Sequence, residues 1–287
     1  MNAAERQKPP AGELFLDHVA HFVEDLGAAA KLLESLGFVV TPESAHHNQD
    51  GPAGTSNRCV MFEEGYVEIL APTLDTENAR RVRADMARYA GVHLACFGTP
   101  TAEFEHTRLA DHGFEPPPLV RLERELDVNG ETREARFDVV YVPPENMPEG
   151  RIQYVEQLTP ENIWQPRYLG HTNGMLGLSA VFVVADDPVT VAARWARFSG
   201  LLPFPEGNLV RLDVARGRVL VGTSQSIADL LGGSPAAPAL AGYALKCGDP
   251  KAFADRCARA GLGVTQSADR HSVALPPSLG GVWLLER

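Results

Sequence analysis

Tyr66-Val67-Glu68-Ile69-Leu70-Ala71-Pro72 and Tyr154-Val155-Glu156-Gln157-Leu158-Thr159-Pro160 are nearly one phrase written twice. Both read as short strands, rich in aromatic and β-branched residues and closed by proline. Each is preceded, many residues upstream, by a strand with a histidine inside it. These are Leu16-Asp17-His18-Val19-Ala20 and Gly91-Val92-His93-Leu94-Ala95. The order is therefore His, Glu, His, Glu over two copies of one unit. A repeated histidine–carboxylate pair points to one metal site at the seam between the copies.

Working outward, each pair of strands brackets the same intervening pattern. In the first unit the strand from Glu13 to Val23 leads to an Ala- and Leu-rich helix, Leu26 to Leu36, stopped by Gly37. Phe38 to Thr41 reads as a second strand and Pro42 to Ser56 as a loop. Arg58 to Phe62 and Gly65 to Leu70 read as a hairpin. After a helical spacer, Asp75 to Tyr89, the order β-α-β-β-β returns. Its helix runs from Ala102 to Asp111, and a charged hairpin turns at Asn129-Gly130. Two further copies follow, with helices Val189 to Ser199 and Lys251 to Ala260. Four such units predict an α+β fold of two domains, each a curved mixed sheet. The expected boundaries are a mobile tail over residues 1–12, a metal-binding domain over 13–168 and a second domain over 169–287.

A chain of 287 residues, 44% hydrophobic and 22% charged, can bury cores of this size. Its net charge of -11 argues against a nucleic-acid partner and against docking on an anionic membrane. No apolar run is long enough for a spanning helix, and no signal-peptide stretch precedes His18. A cytoplasmic location is the expectation. The four cysteines (Cys59, Cys96, Cys247, Cys257) form no CxxC pair and are expected as buried thiols.

Histidine and glutamate together suit a divalent transition metal, and His18, Glu68, His93 and Glu156 form the expected ligand set. Four such residues on buried strands are costly without a partner. Two His and two Glu leave open positions on a six-coordinate ion for a small-molecule substrate. Ni, Co, Mn, Fe and Zn all remain open. Asn57 and Arg58, at the entry to a strand beside the site, are candidate substrate contacts. So are His47, in the loop Ser44-Ala45-His46-His47-Asn48, and His171, which could close the pocket.

Paired β-α-β-β-β units with this His-Glu-His-Glu order resemble the vicinal oxygen chelate superfamily, glyoxalase I included. The first half resembles the glyoxalase-like domain proteins in particular. Leu16-Asp17-His18-Val19, the Gly54-Thr55-Ser56-Asn57-Arg58 turn, Tyr66-Val67-Glu68 and His171-Thr172-Asn173-Gly174 carry that likeness. The resemblance implies lyase or isomerase chemistry through a metal-stabilised enediolate, with Glu156 or its mirror Glu68 as the base. Two relatives of that superfamily supply rival readings. One is an Fe(II) ring-cleaving dioxygenase using His18, His93 and one Glu. The other is a sequestering protein that binds a small molecule without catalysis. The third and fourth units depart from the pattern, offering Ser179, Arg218 and Glu286 at the matching strands. The second domain is therefore expected to hold no metal. Homodimerisation is possible but not required, since four units can complete both halves internally.

Overall fold

The computed structural model describes residues 2–49, 51–267 and 270–287. The first unit runs β1 (Phe15–Phe22), α1 (Leu26–Ser35), β2 (Ser44–Asn48), β3 (Gly51–Met61) and β4 (Tyr66–Pro72). After α2 (Glu77–Met86) the second comprises β5 (Val92–Gly98), α3 (Ala102–Asp111), β6 (Val120–Val128), β7 (Glu131–Tyr141) and β8 (Arg151–Gln157). The short α4 (Pro160–Ile163) leads to the third: β9 (Met175–Val184), α5 (Pro188–Ser199), β10 (Pro203–Glu206), β11 (Leu209–Asp213) and β12 (Arg218–Gly222). Then α6 (Ser224–Leu231) precedes the fourth: β13 (Ala239–Cys247), α7 (Pro250–Arg259), β14 (Gly263–Ser267), β15 (Arg270–Ala274) and β16 (Val282–Glu286). The repeated β-α-β-β-β order read from the sequence is the order observed.

The two halves use that order differently. In the first, the strands run β1-β4-β3-β2-β6-β7-β8-β5, and β5 pairs antiparallel with β1, so the sheet closes into a barrel. In the second, the order β10-β11-β12-β9-β13-β16-β15-β14 stays open. Its β13 joins the barrel at β5. Helices α1, α3, α5 and α7 bury their apolar stripes in one shared core with the outer faces of both sheets. Trp195, Trp283, Tyr154 and Tyr243 are its bulkiest fully buried members. The open sheet's concave side is filled by Ile227 and Leu231 of α6. No helix of the described residues is long and apolar enough to cross a membrane.

The helices that follow the first strand of each unit start by one local rule, with one exception. Asp25, Asp187 and Asp249 cap α1, α5 and α7 by accepting the backbone N–H three residues on. At the start of α3 stands Thr101, whose side chain makes no capping bond. Glu156 of β8 does that work instead, accepting the Ala102 N–H at 2.8 Å.

Two sequence expectations change here. The second strand is not at Phe38 to Thr41 but at Ser44–Asn48, inside the expected loop. Phe38 is apolar for another reason: its ring meets Phe62, His171, Phe253 and Trp283 where the halves join. The expected mobile tail is docked. Gln7 is fully buried and donates to Ala3 O and Glu63 O, while Arg6 pairs with Glu63 at 2.8 Å. Met1 lies outside the described residues.

Candidate functional site

The barrel interior is assembled by register. His18 on β1 lies beside Tyr66 on β4 and Cys96 on β5, Cys96 beside Gln153 on β8, and Gln153 beside Tyr141 on β7. The period-2 alternation of side chains turns this row inward. His18 and Tyr66 stack with ring centroids 4.3 Å apart. One step along, Glu68 and Cys59 face each other across β4 and β3. Around this polar belt the interior is apolar, with Phe22, Leu70, Leu94, Phe137 and Val155 among its members.

Two acids dominate the belt, and each has a cation supplied by the chain. Asp17 is fully buried; its Oδ1 lies 2.6 Å from His18 Nδ1, and both its oxygens accept from Gln157 Nε2 at 3.2 Å. A register shift at Asp17 lets it lie beside the histidine that follows it. Gly65, at φ 77, allows the close approach: a Cβ there would come within 2.6 Å of Asp17 O. Burial opposes a charged His18, but the Cys96 thiol and the Asp17 carboxylate outweigh it and hold its pKa well above the usual value. Glu68, the second acid, accepts from Asn57 Nδ2, and Asn57 Oδ1 accepts from Arg124 Nη1 at 2.8 Å. Arg124 is buried, with its guanidinium 5.4 Å from the Phe137 ring centroid. His46 completes the group, with Nδ1 3.1 Å from Thr55 Oγ1 and Nε2 3.8 Å from Glu68 Oε1. Burial pushes His46 down to about 4.

The residues expected to share one metal ion do not converge. His18 and Glu68 face the interior. His93 is the odd residue where the β1–β5 register slips; its Nε2 donates to Tyr89 O at 2.9 Å and its ring lies against Tyr89 and Phe22. Glu156 faces away and caps α3. The reason is register. Tyr66 pairs with His18, but Tyr154 pairs with Phe97, four residues beyond His93. The repeated phrase therefore shows opposite faces: Tyr66 stacks on His18 inside, while Tyr154 stacks on Phe198 in the shared core. Replacing Glu156 with alanine is expected to cost about 1 kcal/mol as a lost helix cap, measured by urea unfolding, with ligand binding in the barrel unchanged.

Of the expected substrate contacts, only Asn57 belongs to the belt. Arg58 points outward to Thr41 O and Glu34. His47 is exposed, while its neighbour His46 turns in. His171 accepts the Val39 N–H at Nδ1 and donates from Nε2 to Met61 O, bracing the junction of the halves. Arg124, Asp17, Cys96, Gln153 and Gln157 were not singled out from the sequence. For Arg124 a signal existed: Leu122, Arg124 and Leu126 alternate with charged residues, which places Arg124 on the apolar face.

A profile of glyoxalase-like domains matches residues 16–199, more than half of the chain. The chain belongs to the glyoxalase-like domain family. No curated protein matches it. Among solved structures, a hypothetical protein from Staphylococcus aureus is similar at TM-score 0.67 and 12% identity, covering 95% of this chain and 99% of that one. A mutant of 4-hydroxymandelate synthase from Streptomyces coelicolor gives TM-score 0.58 and 14% identity, over 95% and 92%. A xylose isomerase-like TIM barrel/4-hydroxyphenylpyruvate dioxygenase fusion gives 0.56 and 12%, over 96% of this chain and 49% of that chain. At these identities the likeness is one of fold, that of the vicinal oxygen chelate superfamily.

Members of this superfamily typically bind a divalent metal, so the donor set of this glyoxalase-like chain must be tested. Among the described residues no three of His, Cys, Asp and Glu stand together as a metal-holding group. Of the expected ligands, His18 and Glu68 alone face inward. His18 is held toward its protonated form, and a buried guanidinium already serves Glu68 through Asn57. A divalent ion would have to displace a proton and sit beside Arg124. This set does not fit a metal ion. A cleft of about 910 Å³ lies over the open sheet. Within it Glu286 pairs with Arg218, and residues beside it hold others of its charges: Ser179 donates to Glu286 and Asp255 pairs with Lys251. The barrel interior is the better candidate site.

Proposed function

We propose that this glyoxalase-like protein performs lyase- or isomerase-type proton transfer on a small molecule with neighbouring oxygens, held inside the barrel, using acid–base groups of the chain in place of a metal ion. One observation carries the reading: each buried interior acid has its own cation, Asp17 with His18 and Glu68 with Arg124 through Asn57. Such an arrangement is electrically complete without a metal. Glu68 is the base, able to remove a proton beside a carbonyl. Arg124 and Tyr66, which share the belt with it, supply the donors for the oxygen that gains charge. The metal-dependent version expected from the sequence needs His93 and Glu156 beside His18 and Glu68. The dioxygenase version needs His93 as an iron ligand. Both residues are engaged elsewhere.

The test is hydrogen–deuterium exchange at the carbon beside the carbonyl of dihydroxyacetone, followed by NMR in D2O. Exchange above background is expected after dialysis against EDTA, to be lost in Glu68→Gln, and to need no oxygen. Exchange that appears only when Ni, Co, Mn, Fe or Zn is restored would return the metalloenzyme reading. Binding of dihydroxyacetone with no exchange would leave a sequestering protein.

A further inference from the structure

We infer that Gln153 and Gln157 select the ligand of the barrel, and that this ligand is a short ketone with a hydroxyl at each end. The inference rests on the reading of the barrel interior as the ligand site and names the class of molecule that fits there. Gln153, Val155 and Gln157 alternate along β8 and so share its inward face. Val155 belongs to the apolar cluster of the interior, and so does Phe137, the partner of Gln157 on β7. Tyr141, the partner of Gln153, packs against that cluster. The two glutamines are 6% and 4% exposed. Glutamine is seldom buried so deeply unless its amide has work to do.

In both amides the nitrogen is held and the oxygen is free. Gln157 Nε2 donates to both oxygens of Asp17 at 3.2 Å. An ionised carboxylate only accepts, so Asp17 fixes which end of the amide faces it. Gln153 Nε2 donates to Cys96 Sγ at 3.7 Å. Oε1 of each glutamine is buried with no partner among the described residues. A third buried atom is in the same state: Arg124 Nε, a donor. Its guanidinium lies over the ring of Phe137, beside Gln157. The barrel wall therefore presents two acceptors and one donor with their hydrogen bonds unmade, and leaving them dry is costly.

The complement follows from these three atoms. Each amide oxygen takes a donor. A hydroxyl supplies one without charge, whereas an ammonium would bury a second cation in an interior that already holds Arg124. Arg124 Nε takes an acceptor, which a carbonyl oxygen supplies. Four residues of extended strand set the two glutamine Cα atoms about 13 Å apart, and each side chain reaches inward from there. A short carbon chain with a hydroxyl at each end bridges that separation through one hydrogen bond to each amide. Its carbonyl, between the hydroxyls, is left for Arg124. A molecule with a single hydroxyl satisfies one glutamine and leaves the other dry.

Dihydroxyacetone and hydroxyacetone, which differ by one hydroxyl, are titrated against the full chain by ligand-observed NMR. The native chain is expected to bind dihydroxyacetone about tenfold more tightly. Gln153→Met, which keeps most of the side-chain volume, should lose about tenfold for dihydroxyacetone and hold hydroxyacetone within about twofold of native. Gln157→Met should show the same pattern, and the comparison of the two ligands on the native chain stands whether or not that variant folds. Equal affinity of the native chain for both ligands would overturn the inference. So would binding of neither, or a Gln153→Met that weakens both alike. Equal affinity with dihydroxyacetone exchange intact would remove the glutamines and spare the proton-transfer reading. Discrimination by one hydroxyl without exchange would do the reverse.

Discussion

Arg124→Met is expected to cost about 3–5 kcal/mol, the usual penalty for stripping one partner from a buried charge network. Methionine fills much of the same volume and keeps contact with Phe137, so the loss isolates the charge. Asn57 Oδ1 loses its donor, and Glu68 is left in an apolar barrel with the Asn57 amide as its hydrogen-bond donor. Adding Glu68→Gln to the same chain should recover a large part of the loss, because the orphaned charge is then gone. Urea denaturation of the two single variants and the double variant measures the coupling. Additive losses would show that Arg124 and Glu68 do not form one unit.

Acid should weaken the protein steeply between pH about 6.5 and about 4. The cause lies first in His21, which burial pushes down to about 4. Its neutral ring fits between the halves: Nδ1 lies 3.0 Å from Leu279 O and Nε2 3.0 Å from Tyr243 Oη. The other titratable group acting on it is His93, which also disfavours its charge. Above about 6.5 the ring is neutral in both folded and unfolded chains, and the stabilisation is fully present. As pH falls the unfolded chain takes the proton first, and about 3 kcal/mol is lost by pH 4. His46 adds a loss over the same window. His18 has the opposite sign: its raised pKa stabilises at low pH, and that contribution fades as pH rises through the folded value. Chemical denaturation at half-unit pH steps reads the balance, with His21→Gln expected to flatten the acid limb. A stability unchanged from pH 7 to 4.5 would contradict it.

Much of the fold was legible because it repeats. A strand, a helix ended by glycine and three more strands recur four times, and hydrophobic alternation marks each strand. Half of the candidate site was legible for the same reason: His18, Glu68 and Asn57 sit on strands whose inward face follows from alternation. The other half was not, because a repeated string does not fix a repeated register. Tyr154-Val155-Glu156 copies Tyr66-Val67-Glu68 in letters, but its pairing with β5 turns the glutamate outward. The β1–β5 register shifts at Asp17 and His93 are likewise silent in the sequence, since a bulge depends on both strands at once. Arg124 was hidden by composition: in a hairpin dense with charge, one inward arginine looks like its outward neighbours.

The position of β1 bears on how the chain is made. It is synthesised before both of the strands that fill its edges: β4 on one side and β5 on the other. Leu16 then bonds to Arg216, and His21 to Tyr243 and Leu279, near the far end of the polypeptide. A newly made chain therefore carries a buried-type apolar strand with two open edges until β4 and then β5 have been made, and its last contacts wait for the fourth unit. Such long-range pairing closes slowly and leaves edges able to capture another chain. The same connection that seals the mature barrel makes its N-terminal strand the segment most in need of shelter on the ribosome.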